Sequence, residues 1–280
     1  MNLATRLVVQ GTDITPADAT RLAALARAGS IEQLSATAWR LRGASPTEGV
    51  AEYCAQHSLD HAWVPEGRRF ADLRLLAMDM DSTLITIECI DEIGGMLGIK
   101  DRIGAITERA MRGEIDYPQS LKERVSLLEG LGVDALERVY TEKLRLSPGA
   151  EVLVRRAHAA GITTLLVSGG FTFFTDRLKA RLGLDHTLSN VLEIQDGKLT
   201  GRVTGAIVDA EAKAARLAEL TRAMGFAQAL TLAIGDGAND LAMMAVAGVS
   251  VAYHAKPRVR ERATYALDHC GLDGVLNLFE

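Results

Sequence analysis

Two carboxylates lie one residue apart at the end of a short apolar run, in LLAMDMDST (residues 75–83). A short apolar run bounded by polar residues is typical of a buried strand in a parallel sheet. Because residues i and i+2 of a strand point to the same side, Asp79 and Asp81 can face one site. Two carboxylates this close repel each other, and a divalent cation with oxygen ligands is the simplest partner. Taken alone, the stretch fits a metal site and a polar loop about equally.

Two more apolar runs end in polar, glycine-containing turns, namely TLLVSGG (164–170) and TLAIGDGAND (231–240). We expect all three runs to be central parallel strands, whose C-terminal ends lie on one edge of the sheet, where ligands bind in such folds. Three turns of this kind carry the residue types that a phosphate and metal site needs, which is stronger evidence than any one of them. The side chains and turns expected to converge are Asp79, Asp81, Ser168, Gly169, Gly170, Asp236, Gly237, Asn239 and Asp240.

The bulk composition is that of a globular enzyme-sized chain. It has 280 residues, 48% of them hydrophobic and 24% charged, with a net charge of −5 and no long basic run that would indicate nucleic-acid binding. Cys54, Cys89 and Cys270 are few and widely spaced, which fits a reducing cytoplasm better than a disulfide framework or a zinc site. No apolar stretch reaches the roughly 18 residues of a membrane span, and the start of the chain is unlike a signal peptide.

Residues 1–70 are predicted to form a small α+β unit. Thr15 as N-cap, Pro16 in the first turn and Gly29 as terminator predict one helix, and Pro46 is expected to open a second. With residues 30–43 interpreted as a single strand, the element order is βαβαβ. The unit resembles a shortened amino-acid-binding domain of the ACT type, although no motif in it is specific. A structural or dimerising appendage is the alternative that we favour.

The remainder predicts a doubly wound α/β core, because strands and helices alternate from residue 146 onward. Residues 89–145 are almost wholly helical in pattern and interrupt the core after its first strand. We therefore expect a core of residues 71–88 and 146–280 and a helical cap of residues 89–145. Asp196-Gly197 is a strong signal for a β-hairpin turn.

The motifs DMDST, VSGGF and GDGAND resemble, in this order, those of the haloacid dehalogenase superfamily of phosphatases. The helical insertion, with IECIDE (87–92) and AMRGEIDYPQSLKERVSLLEGL (110–131), is similar to that of members acting on a phosphorylated amino acid. The resemblance covers residues 73–280. It implies Mg²⁺-dependent hydrolysis of O-phospho-L-serine through an aspartyl-phosphate, the last step of serine biosynthesis.

The resemblance also implies roles for the acidic residues. Asp79 would be the nucleophile, and Asp81 would protonate the leaving alkoxide and then accept a proton from water. Mg²⁺ would be held by Asp79, the backbone carbonyl of Asp81 and Asp236. Asp240 would hold a metal-bound water or orient Lys213.

Further residues would bind the phosphate and the rest of the substrate. Ser168, Gly169 and Lys213 would contact phosphate, with Lys198 as the weaker alternative to Lys213. The ordinary alternative for any helical lysine is a solvated surface position.

The insertion is expected to provide specificity. Glu88 would meet the substrate ammonium and Arg124 its carboxylate. The alternatives are an acid in a first helical turn for Glu88 and an intrahelical pair with Glu123 or Glu129 for Arg124. The substrate-contact residue Asn239 and the wall residues Met111 and Tyr117 complete the predicted site.

Two rival functions remain open at this point. The same chemistry could act on another small phosphate or transfer the phosphoryl group to an acceptor such as homoserine. A chain that senses amino acids through its N-terminal unit would be a different class of protein. For the enzyme we expect a small-molecule substrate, a cytoplasmic location, no nucleic acid or membrane partner and a possible homodimer.

Overall fold

A computed structural model describes residues 5–280, which form two β-sheets with their helices. Residues 1–4, where the predicted N-terminal unit begins, lie outside the described residues. Over residues 5–280, none of the helices combines the length and the apolar character that crossing a bilayer requires.

The first sheet has four antiparallel strands in the order β2-β3-β1-β4. The elements of this unit are β1 (Thr5–Gln10), α1 (Pro16–Leu25), β2 (Ser30–Ser35), β3 (Ala38–Arg42), α2 (Glu48–Gln56) and β4 (Asp60–Pro65). The predicted single strand over residues 30–43 is wrong, since the chain turns at residues 36–37 and pairs β2 with β3. The order is therefore βαββαβ. Ala36-Thr37 lacks the glycine, asparagine or aspartate that marks a two-residue hairpin turn.

Helix α1 begins as predicted and ends earlier. Thr15 caps it, and the side chain of Asp18 accepts a hydrogen bond from the Thr15 backbone in a capping box. The helix ends at Leu25, and Arg27 rather than Gly29 takes the left-handed conformation after it, with φ of 53°. Helix α2 begins at Glu48 with Thr47 as N-cap, so Pro46 precedes it.

The four-stranded sheet packs on both faces. Leu7 and Val9 face the helices, whereas Val8 and Val64 join the core of the larger unit. At the same interface the Asp60 carboxylate accepts backbone hydrogen bonds from residues 268, 269 and 270 at 2.7, 3.1 and 2.9 Å. A buried carboxylate with three donors is well satisfied, so this contact joins the two units firmly.

The second sheet has seven strands in the order β11-β10-β9-β5-β6-β7-β8. These strands are β5 (Leu75–Met78), β6 (Thr163–Phe171), β7 (His186–Gln195), β8 (Lys198–Thr204), β9 (Thr231–Gly235), β10 (Val249–Tyr253) and β11 (Tyr265–Leu267). All neighbours are parallel except β7 and β8, which form the predicted hairpin with positive φ at both Asp196 and Gly197. The expectation that β5, β6 and β9 are central parallel strands is confirmed, and the three are also adjacent.

Both faces of this sheet are buried, as the doubly wound prediction requires. Leu76 and Met78 of β5 belong to one apolar cluster and Leu75 and Ala77 to another, on opposite faces. The covering helices are α7 (Ala150–Ala159) and α8 (Thr172–Leu182) on the first face and α9 (Ala210–Ala223), α10 (Leu241–Val246) and α11 (Pro257–Arg260) on the second.

A helical insertion lies between β5 and β6. It contains α3 (Cys89–Met96), α4 (Lys100–Met111), α5 (Tyr117–Ser126) and α6 (Val133–Arg138). The loop after α5 joins the β7–β8 hairpin through backbone hydrogen bonds between Gly130 N–H and Leu199 O and between Leu199 N–H and Leu131 O, both 2.8 Å. The insertion is thereby held against the β7–β8 hairpin.

Candidate active site

A cavity of about 610 Å³ separates the strand ends of the core from the helical insertion. The turns after β5, β6 and β9 form its floor, and helices α3, α4 and α5 of the insertion form the facing wall. Its lining includes the predicted residues Asp79, Asp81, Glu88, Met111, Tyr117, Arg124, Ser168, Gly169, Asp236 and Asn239. Lys213 and Asp240 are buried beneath this lining.

The turn after β5 aims both carboxylates into the cavity. The Met80 N–H donates to Asp79 Oδ1 at 2.7 Å, and the Cys89 N–H donates to Asp81 Oδ1 at 2.9 Å. Ser82 takes a left-handed conformation with φ of 55°, which turns the chain away from the strand direction. The backbone thus fixes the orientation of Asp79 and Asp81.

Lys213 lies between two carboxylates below the cavity. Its Nζ is 2.8 Å from Asp79 Oδ1 and 2.8 Å from Asp240 Oδ1, and all three side chains are nearly inaccessible to solvent. Burial alone acts to lower the pKa of Lys213, but the Asp240 and Asp79 carboxylates outweigh it and raise that pKa. A solvated surface position for Lys213 is thereby excluded, whereas the alternative, Lys198, is exposed on β8.

The acidic groups retain an excess of negative charge. Burial raises the pKa of Asp79 above its usual range, and repulsion by Asp240 raises it further. The single charge of Lys213 can neutralise only one of these two carboxylates. Burial and Asp240 also raise the pKa of Asp236 to about 6. Burial, followed by repulsion from Glu88, raises the pKa of Asp81 to about 7.

Three of these carboxylates are arranged to hold a cation. Asp79, Asp236 and Asp240 each offer an oxygen, and these oxygens lie within 4.8 Å of one another. The Thr83 hydroxyl donates to Asp236 Oδ1 at 2.9 Å and orients it. Carboxylate oxygens around an uncompensated negative charge suit a hard divalent cation. The donor set therefore fits a divalent cation, and it includes Asp240, for which the resemblance implied only a supporting role.

The turn after β6 forms a second side of the floor. Ser168 Oγ accepts from the Gly170 N–H at 2.8 Å and donates to Asp81 Oδ2 at 3.4 Å. A Cβ atom on Gly169 would lie 2.3 Å from the Tyr117 hydroxyl oxygen, and one on Gly170 would lie 2.8 Å from Asp81 Oδ2. A larger residue at either position would therefore force site side chains, including those of Tyr117 and Asp81, to move.

Glu88 and Arg124 both line the cavity, on different helices of the insertion. Glu88 is the N-cap of α3, and its Oε1 accepts from the Ser82 hydroxyl at 2.7 Å. Arg124, on α5, donates from Nε to the Ser120 carbonyl at 3.3 Å. Glu123, a proposed intrahelical partner of Arg124, pairs instead with Arg109 at 2.8 Å. Within residues 5–280, the guanidinium of Arg124 has no carboxylate partner in an ion pair.

The two predicted wall residues, Tyr117 and Met111, and the predicted substrate contact Asn239 differ in their surroundings. The Tyr117 hydroxyl donates to the Gly169 carbonyl at 3.0 Å and so joins the insertion to the β6 turn. Met111 is 68% exposed at the end of α4, which separates it from an ordinary core methionine. Asn239 lies at the exposed side of the β9 turn.

Sequence reasoning missed three contributors to this site. Thr83 orients Asp236, Ser82 binds Glu88, and Lys256 lines the cavity after β10. The hydroxyls were visible in DMDST as small polar residues after the carboxylates. Lys256 follows a fourth parallel strand end, where the glycine-rich pattern of the other turns is absent.

Comparison with known proteins agrees with this geometry. A family model for haloacid dehalogenase-like hydrolases matches residues 76–245, which contain all three motif turns. The chain belongs to this family. The predicted superfamily and the hydrolase class are thereby confirmed. A second family model, for a domain of unknown function (DUF4072), matches residues 7–50 of the N-terminal unit.

Relatives within the family carry one activity in their names. A phosphoserine phosphatase from Polaromonas sp. is 54% identical over 215 residues, covering 75% of this chain and 91% of the relative. The unliganded structure of a probable phosphoserine phosphatase from Vibrio cholerae is 39% identical with a TM-score of 0.86, covering 98% of this chain and 86% of that one. A phospho-aspartyl intermediate analogue of phosphoserine phosphatase is 36% identical with a TM-score of 0.69, covering 74% of this chain and 99% of that one.

Proposed function

We propose that the protein hydrolyses O-phospho-L-serine to L-serine and phosphate. The observation that carries the proposal is the composition of the cavity. Asp79 and Asp81 open onto its floor, while Glu88 and Arg124 open onto the wall of the insertion. The floor can perform phosphoryl transfer, and the wall has the two charges that complement an α-amino acid. A relative named phosphoserine phosphatase is 54% identical over 215 residues, which supports the same substrate.

The first half-reaction forms an aspartyl-phosphate on Asp79. Its carboxylate attacks phosphorus and the bond to the serine oxygen breaks, which divides one difficult hydrolysis into two easier steps. Asp81 donates its proton to the departing alkoxide. The raised pKa of Asp81, about 7, keeps this carboxyl protonated near neutral pH, as a general acid must be.

The second half-reaction releases phosphate. Asp81, now ionised, takes a proton from the water that attacks phosphorus, and the Asp79 carboxylate is regenerated. Ser168 and the backbone N–H groups of the β6 turn bind phosphate oxygens. Lys213 is paired with Asp79 beneath the floor of the cavity, and its positive charge lies below the bound phosphate.

The acidic cluster supports a divalent metal cofactor. We propose Mg²⁺, held by Asp79, Asp236 and the backbone carbonyl of Asp81, with Asp240 in support. When bound, the cation neutralises charge on the phosphate and the carboxylates. Asp240 also positions Lys213 through their 2.8 Å contact.

Substrate recognition is assigned to the insertion. Glu88 binds the substrate ammonium and Arg124 its carboxylate, Met111 and Tyr117 line the remaining wall, and Asn239 contacts the substrate from the β9 turn of the core. Residues 89–145 act as a cap that closes over the substrate and excludes bulk water. The protein serves serine biosynthesis in the cytoplasm. Hydrolysis is preferred over transfer to an acceptor such as homoserine on the names of the relatives alone, and a homodimer stays a prediction.

Phosphate release from a small panel tests the proposal. The panel contains L-phosphoserine, phosphothreonine, a sugar phosphate and p-nitrophenyl phosphate, each with Mg²⁺ and with EDTA. We expect metal-dependent turnover with strong preference for phosphoserine. Metal-dependent turnover without that preference would contradict the substrate assignment, and turnover that survives EDTA would contradict the cofactor assignment. Adding homoserine and following its phosphorylation separates a hydrolase from a transferase.

A further inference from the structure

Lys256 is a charged residue of the cavity without a role in the proposed reaction. It lies in the loop between β10 and α11, and its side chain is exposed where the loop lines the cavity. Its backbone N–H donates to the Asp236 carbonyl at 3.4 Å, which anchors the loop to the end of β9. The side chain is thus free to contact a ligand while its backbone is held beside the floor of the site.

The cavity has few cations for the substrate it is proposed to bind. Among residues 5–280, its lining carries the carboxylates of Asp79, Asp81, Glu88, Asp91 and Asp236 but only two cationic side chains, those of Arg124 and Lys256. Phosphoserine brings a phosphate dianion and a carboxylate with a single ammonium. Each lining cation therefore matters for admitting and holding such a substrate.

The two cations act around the same carboxylate. The positive charges of Arg124 and Lys256 both lower the pKa of Glu88, against the larger effect of burial, which raises it. Glu88, Arg124 and Lys256 all line the same cavity, so Glu88 shares it with one cation on the insertion and one on the core. In an α-amino acid the ammonium and carboxylate share one carbon, so a group bound to Glu88 by its ammonium presents its carboxylate to these cations.

We propose that Lys256 binds the α-carboxylate of phosphoserine from the core side, opposite Arg124 on the insertion, and is a specificity-determining residue. This inference rests on the proposed function. The substrate carboxylate then joins cap and core, because Arg124 belongs to α5 and Lys256 to the sheet edge. A phosphate ester without the carboxylate loses this connection and gains nothing from Lys256.

The test compares two substrates that differ only in the carboxylate. Kinetic constants are measured for L-phosphoserine and phosphoethanolamine with wild type, Lys256→Met, Lys256→Arg and the surface control Lys179→Met. We expect Lys256→Met to lower kcat/KM for phosphoserine about 10-fold, the size of one charge-assisted hydrogen bond, mainly through KM. Phosphoethanolamine should change less than about 2-fold. Lys256→Arg should retain most of the activity, and Lys179→Met should behave as wild type.

Two results would overturn the inference. Equal losses on both substrates would assign Lys256 to the phosphate or to the local fold, and unchanged kinetics on both would remove it from the site. Thermal unfolding of each variant shows whether it folds normally. Lys256→Gln is a second neutral replacement, in case Lys256→Met fails to fold. The proposed function is judged separately, on whether the wild type prefers phosphoserine to phosphoethanolamine.

Discussion

The two ends of the cavity are built in different ways. At the phosphate end, Asp79, Lys213 and Asp240 are buried at strand ends or below them, and each polar group has a defined partner. At the amino-acid end, Glu88 and Arg124 belong to inserted helices and face open space. Preorganised, desolvated groups are suited to stabilising a transition state, whereas accessible charges are suited to capturing a ligand. The buried end of the cavity is therefore suited to the reaction, and the accessible end to selecting the substrate.

The largest effect is expected at the buried end. Asp79→Asn removes the nucleophile while preserving shape, and we expect turnover to fall by about 10⁴-fold or more with phosphoserine and p-nitrophenyl phosphate alike. Steady-state phosphate release measures the loss, and thermal unfolding checks the fold. Asp196→Asn in the β7–β8 turn, where asparagine also accepts positive φ, is the matched control. Near-normal turnover of the Asp79 variant would refute the nucleophile assignment.

Lys213 tests whether the buried end depends on internal charge balance. Lys213→Met leaves Asp79 and Asp240 without their shared cation, and breaking such a buried pair costs about 3–5 kcal/mol in stability. Urea unfolding in EDTA measures this cost. Adding Mg²⁺ should recover part of it, since the cation binds the same carboxylates. A variant as stable as Lys179→Met would show that the ion pairs contribute little.

The strand ends were predictable from sequence because three apolar runs stop at carboxylates or glycines. That pattern alone locates Asp79, Ser168 and Asp236. Lys213 needed the family resemblance, because a helical lysine has no signal of burial. The β2–β3 hairpin was missed because Ala36-Thr37 is a weak turn signal, and Lys256 because the end of β10 lacks glycine. Residues that act through three-dimensional proximity alone leave little pattern in a sequence.

Arg124 should affect one substrate class and leave the other nearly unchanged. Arg124→Ala removes a guanidinium from the amino-acid end, and we expect kcat/KM for phosphoserine to fall roughly 10- to 100-fold, as for loss of a charged hydrogen bond. p-Nitrophenyl phosphate, which has no α-carboxylate, should change little. Arg109→Ala, on the neighbouring helix and paired with Glu123, is the control for disturbance of the insertion. Equal losses on both substrates would remove Arg124 from recognition.

The smallest effect is expected for Glu88, which lies at the amino-acid end of the cavity and influences Asp81 at the phosphate end. Glu88 is a like charge that helps to raise the pKa of Asp81 to about 7. Asp81 donates only while protonated, so the rate of the first half-reaction should fall as pH rises through that pKa. Glu88→Gln removes the repulsion, so the alkaline limb should move to lower pH. Single-turnover rates with a sugar phosphate avoid the ammonium contact and keep an alkoxide leaving group that needs the proton of Asp81. An unmoved or upward-shifted limb would contradict this coupling.

The central claim is that Asp79 carries the phosphoryl group during turnover. Rapid mixing with radiolabelled phosphoserine, acid quench and borohydride reduction would trap it, because the reductant converts an aspartyl-phosphate to a homoserine residue that mass spectrometry locates. The account predicts label on the protein during turnover and the reduced residue at position 79. Product formation without covalent label, or label at another residue, would contradict it.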